Sequence, residues 1–198
     1  MEFWQVDEYG PSHQGQVGVV LADGTEPPPV YLDPGSGPGF VQTTHWSVYD
    51  GALTGPRAHA LRAACTCGWR GTQYPVDWTA MGDEPLRVGG ARDADHCQSD
   101  WDRHVFEVGR TTVPVPPALE GRLADLHREL EELAHTEPIA VLKIVNRLES
   151  IASHTAYSAA LRADETLGIE EVAKGLGLTE KDALLRLDRH RRPASDLP

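Results

Sequence analysis

The apolar positions of this chain follow two different rhythms. In the first half they come as short alternating or continuous runs that end in turn residues. QVGVVLADG (16–24), HWSVYDG (45–51) and RAHALRAACTC (57–67) are of this kind, and each predicts a brief strand. YLDPGSGPGF (31–40) reads as a loop from its Gly, Pro and Ser content. Over 91–106 the spacing changes. Ala94, Cys97, Trp101 and Val105 recur at helical intervals, which predicts one amphipathic helix. TTVPVPP (111–117) then reads as a stiff, extended linker.

After Pro117 the rhythm is helical throughout. Leu119, Leu123, Leu126, Leu130 and Leu133 alternate spacings of four and three, an apolar stripe able to pack on the next helix or to pair two copies of the chain. Thr136 is expected to cap a following helix, with Glu137 and Pro138 in its first turn. Val141, Ile144, Val145, Leu148, Ile151 and Ala152 form one face of that helix, which can continue to Leu161. The fold class expected is α+β. A β-rich N-terminal domain with one helix occupies 1–110, the linker 111–117, and an all-α domain 118–192, ending in a helix-turn-helix.

Charge sharpens this division. The net charge of −12 opposes nonspecific nucleic-acid binding by the surface as a whole. Residues 1–115 contribute −8 and residues 116–198 contribute −4, yet 181–192 alone carry +3. The basic patch readable from the sequence therefore lies near the C-terminal end. No run is long and apolar enough to span a bilayer, and MEFWQVDEYG lacks the basic-then-apolar pattern of a secretory signal. Three cysteines are too few and too odd for a disulfide scaffold. The expectation is a cytoplasmic protein.

Residues 169–190, IEEVAKGLGLTEKDALLRLDRH, carry the features of a helix-turn-helix. Ala173 is the small residue where two helices touch, Gly177 gives the turn its permissive backbone, and Val172, Leu176, Leu178, Ala183 and Leu187 face inward. Thr179 is suited to cap the second helix, with Asp182 three residues on as an imperfect capping box. The pattern Val172, Ala173, Leu176, Gly177, Leu178, Thr179, Ala183 and Arg186 resembles the helix-turn-helix of small actinobacterial regulators and of sigma factor region 4. The resemblance covers roughly the last third of the chain. It implies a DNA-associated regulatory protein that contacts DNA through Thr179, Lys181, Arg186, Arg189, Arg191 and Arg192. The second helix opens, however, on Glu180, Lys181 and Asp182, and two acids there oppose phosphate contact.

Cys65-Thr66-Cys67-Gly68-Trp69 is the sharpest local motif. Cysteines at i and i+2 on a strand share a face, and a turn at Gly68 can bring both sulfurs to one ion. With Trp101 and His104 the motif resembles a CxCGW…W..H pattern of small actinobacterial proteins of unknown function. The expected metal ligands are Cys65, Cys67 and His104, around a structural zinc ion. The fourth ligand stays open among four candidates. Cys97, roughly 10 Å along a helix from His104, is slightly too far to share one ion with it, and His59 lies roughly 20 Å along a strand from Cys65. His45 would sit across from Cys65 if 44–50 paired with 57–65, and His96 completes the set. Asp93, Asp95, Asp100 and Asp102 around His96 are read as solvated surface acids.

The chain has no P-loop, GxSxG elbow or HExxH motif, and Gly35, Gly37 and Gly39 match no dinucleotide fingerprint. Three functions remain in view. The first is a DNA-associated regulatory protein with a structural metal site, and the second a protein-interaction module without a nucleic-acid role. The third is a small metal-dependent enzyme, which would need an open coordination position. A protein partner is expected in either of the first two cases.

Overall fold

The computed structural model describes residues 3–32, 41–52 and 55–191. The loop expected over 31–40 and the basic residue Arg192 fall mainly or wholly outside them. The fold is α+β, and the chain divides into two compact units, Met1–Arg110 and Thr111–Pro198.

In the first unit, β1 (Gly15–Val20) pairs antiparallel with β4 (Ala60–Cys65), and β5 (Tyr74–Pro75) adds to the other edge of β4. β2 (Val30–Leu32) and β3 (Val41–Thr43) form a separate two-stranded ladder. Two short helices, α1 (Trp78–Met81) and α2 (Leu86–Gly89), precede the long α3 (Ala91–Thr111). α3 realises the helical spacing of the sequence: Cys97, Trp101 and Val105 are buried, four residues apart, in a core with Val17, Val19, Leu61 and Ala63. The sheet is smaller than its runs of apolar residues suggest. HWSVYDG forms a 3-10 turn at Trp46–Val48 rather than a strand, because the His45 side chain accepts the Ser47 amide and starts a turn. Its Tyr49 is still core, fully buried with its hydroxyl donating to the Pro28 carbonyl.

Gly15 is a point of close approach. A Cβ there would lie 2.4 Å from the Trp101 indole nitrogen, so the ring of α3 rests directly on the β1 backbone. Trp4 packs on the same indole, with ring centroids 5.8 Å apart.

In the second unit, α4 (Pro117–Thr136) and α5 (Pro138–Thr166) form an antiparallel hairpin, followed by α6 (Ile169–Leu176) and α7 (Glu180–Arg191). Thr136 is the last residue of α4 rather than a cap, its hydroxyl donating to the Leu133 carbonyl, while Glu137 occupies the cap position of α5. Pro138 sits in the first turn, where its missing amide is not needed. α5 runs on past Leu161 to Thr166. The tightest packing lies at the far end, where Ala160, Val172, Ala173, Leu178, Ala183 and Leu187 form a small core. The segment before α4 is tied to that end: the Val113 amide donates to the Gly175 carbonyl at 2.9 Å.

Candidate metal centre

β4 ends at Cys65, and the chain turns back at once. The Gly68 amide donates to the Cys65 carbonyl and the Cys65 amide to the Trp69 carbonyl, both at 3.0 Å. Gly68 has φ +96°, a conformation that favours glycine. This turn swings Cys67 beside Cys65, and the Trp69 amide donates to the Cys67 sulfur at 3.4 Å. The strand opposite Cys65 is β1, with Gly15 as its register partner, not the 44–50 segment. The residue delivered across the ladder is accordingly His13, two positions before Gly15.

Thr66, the residue between the two cysteines, holds that arrangement. Its hydroxyl donates to the Pro11 carbonyl at 2.7 Å and accepts the Gln14 amide at 2.9 Å, and its own amide donates to the Gln14 carbonyl at 3.0 Å. The short 3-10 turn Gly10–His13 is thereby clamped onto the CxC turn.

α3 supplies the last group. His104 Nε2 lies 3.4 Å from Cys67 Sγ and 3.2 Å from His13 Nδ1, and His13 Nδ1 lies 3.7 Å from Cys65 Sγ. One donor atom from each of His13, Cys65, Cys67 and His104 lies within 4.8 Å of the other three. The edges of a tetrahedron of nitrogen and sulfur ligands around zinc measure about 3.3–3.8 Å, so these separations suit a tetrahedral ion. The group can hold a metal ion. Cys65 and His13 are buried, and Cys67 and His104 half-buried.

The electrostatics prepare the donors. Hydrogen bonding from Cys67, reinforced by His13, holds the Cys65 thiol well below its ordinary value, against the opposing effect of burial. The same bond, with burial, pushes the Cys67 thiol up, as expected of two thiols sharing one proton. Burial lowers the His104 pKa and so favours the neutral, ligating ring. Metal binding requires deprotonated donors, so Cys65 and His104 are already biased toward the ligating form, whereas Cys67 would give up its proton to the incoming ion.

Surrounding residues fix the His104 ring. Trp69 stacks on it, centroids 4.3 Å apart and planes within 4°. One turn earlier on α3, Asp100 is 7% exposed. It accepts the Thr72 amide at 3.1 Å, the Tyr74 hydroxyl at 3.0 Å and the Arg103 guanidinium at 3.3 Å. Asp100 is thus a tether between α3 and the chain leaving the CxC turn, not the solvated acid expected from its neighbours.

Of the expected ligands, Cys65, Cys67 and His104 come together. None of the four candidates for the fourth position joins them. Cys97 is fully buried in the core, and burial, aided by Asp100 and Asp93, pushes its thiol up to about 12. His45 bonds Ser47 and stacks on Trp46, His59 is exposed, and His96 contacts Tyr74 and Asp93. The fourth member of the cluster, His13, sits two residues before the start of β1. The signal for it was the pairing of β1 with β4 rather than any spacing within a motif.

The helix-turn-helix residues fall as follows. Gly177 closes α6 in the left-handed conformation, φ 64°. Thr179 Oγ1 accepts the Asp182 amide at 3.2 Å and donates to the Asp182 carboxylate at 2.8 Å, an N-terminal cap for α7. Lys181 and Arg189 are exposed, and Arg186 is half-buried. Arg191 is held 2.6 Å from Asp164 of α5. Leu184 and Leu185 occupy the outward side, 50% and 55% exposed. No helix among the described residues is long and apolar enough to cross a membrane. No protein-family model, curated protein or solved structure matches the chain.

Proposed function

We propose that this chain is a zinc-stabilised binding protein whose Cys2His2 centre is structural. The convergence of His13, Cys65, Cys67 and His104 carries this reading. Two thiolate and two imidazole donors suit zinc better than a hard cation. With all four engaged, a tetrahedral ion keeps no position for a substrate, which favours a structural over a catalytic role. In that role the ion joins the N-terminal turn, the CxC turn and α3, three segments distant in sequence. The test is elemental analysis of purified protein. One zinc per chain, falling to near zero in Cys65→Ser and His104→Ala, is the expected result. No bound metal in protein purified without chelator would remove the reading.

The unit that binds a partner is, in this proposal, the helical C-terminal half. The outward side of α7 carries Leu184 and Leu185 beside Lys181, Asp188 and Arg189, a mixed surface better suited to a protein than to a phosphate backbone. A second reading, DNA association, is favoured by the Gly177 turn and the capped α7, which have the geometry of a helix-turn-helix. Fluorescence anisotropy with duplex DNA separates the two. Binding that weakens steeply with salt and is lost in Lys181→Ala/Arg189→Ala supports DNA association. Absence of binding at low salt leaves the protein-partner reading.

A further inference from the structure

The α4–α5 hairpin is incomplete as a folded object. Helices of 20 and 29 residues depend on burying an apolar face, yet α4 has no buried residue and α5 has only Ala160, which belongs to the α6–α7 core. The two apolar stripes meet along one seam. Counting outward from Glu137, Leu133 is level with Val141, Leu130 with Ile144 and Leu126 with Leu148, and these six are half-buried. Farther out, the same stripes lose their cover: Leu123 is 63% exposed and Ile151 62%. One seam between two helices does not cover stripes of this length.

The charges beside the seam indicate what does. α4 is acidic: among the described residues, Glu120, Glu129 and Glu132 pair with no base. The facing part of α5 carries Lys143 and Arg147, both exposed and without an acidic partner among the described residues. Along the seam, residues 126–133 of α4 carry Glu129, Glu131 and Glu132 against Arg128, and residues 141–148 of α5 carry Lys143 and Arg147 with no acid, so an acidic stretch lies beside a basic one, although α5 as a whole is neutral. A two-fold axis, which brings the α4 of one copy against the α5 of another, matches these charges twice over and closes the apolar stripes from both sides. For a chain of net charge −12, a self-interface without such a match would be repulsive.

We propose that α4 and α5 pair with the same hairpin of a second copy of this chain, forming a four-helix bundle. The inference is independent of the zinc reading. It is tested by light scattering coupled to size exclusion on the full zinc-loaded chain, alongside Leu123→Glu/Ile151→Glu and, separately, Arg147→Glu. The expected result is the mass of two chains for the native protein and of one chain for the double variant, with zinc content and helical circular dichroism retained. Arg147→Glu changes only an exposed side chain and decides the matter if the double variant fails to fold. It is expected to weaken the dimer about tenfold by placing acid against acid. A native protein that stays one chain at every concentration overturns the proposal. So does a dimer whose strength neither the double variant nor Arg147→Glu alters.

Discussion

Met1–Arg110 keeps Tyr49, Leu61, Leu86 and Cys97, drawn from a small sheet, α2, α3 and the turn after Val48, away from water, whereas α4, in Thr111–Pro198, has no side chain fully out of solvent. The first unit contains the four residues able to hold a metal ion and all five tryptophans; the second has no tryptophan and, among its described residues, no such cluster. The contrast concerns how a limited apolar core is supplemented. One unit draws distant parts of its chain onto a single point. The other has regular helices with a long uncovered face and a compact core only where α5 meets α6 and α7. Stabilising agents should therefore act on the two units separately, and because every tryptophan lies in one of them, the two can be followed separately.

On the proposed zinc reading, the largest effect should come from removing the metal. Structural zinc sites contribute apparent binding energies of about 10–16 kcal/mol at neutral pH, against net domain stabilities of about 5–15 kcal/mol. A strong chelator, or His13→Ala, is expected to abolish the cooperative tryptophan-fluorescence transition while most of the helical circular dichroism from α4 to α7 persists. Simultaneous loss of both signals would show that the contrast between the units is false. Next comes Gly15→Val. Its side chain must displace the Trp101 indole, and overpacking of this kind costs about 1–3 kcal/mol or more. The fluorescence midpoint in urea should fall, with the helical transition unmoved.

Asp100→Ala should cost about 1–3 kcal/mol, since it strands the Thr72 amide and the Tyr74 hydroxyl. It should also weaken zinc binding, measured by competition with a chromogenic chelator, because α3 then presents His104 less firmly. The smallest effect belongs to the second unit. Thr179→Ala removes the cap of α7 and should lower stability by about 1 kcal/mol, seen in the helical signal and not in tryptophan emission.

Much of this was legible in the sequence. The helical spacing of Cys97, Trp101 and Val105 announced α3, and Gly177 with Thr179 announced the α6–α7 turn, because these features depend on neighbours within a few residues. Three of the four members of the cluster were legible for the same reason: Cys65 and Cys67 share a short turn, and His104 closes a helical face. His13 was not, because its place depends on the pairing of Gly15 with Cys65, a contact fifty residues long in sequence terms. The misreading of 45–51 as a strand had the same origin. It pointed to His45 as the residue opposite Cys65, where a local side-chain cap had already turned the backbone aside. Asp100 differs from Asp95 and Asp102 only in what α3 packs against, and no spacing conveys that.

The position of His104 also bears on how the protein is made. A chain leaves the ribosome from its N-terminus at about 5–20 residues per second. Cys65 and Cys67 are therefore synthesised while the donor that closes the cluster is still tens of residues from being translated. During that interval two thiols and one imidazole are in hand without their fourth companion. On the proposed zinc reading, the nascent N-terminal unit is then open both to capture by other metals and to oxidation of its cysteines, and the supply of zinc at that moment determines which fate the newly made chain meets.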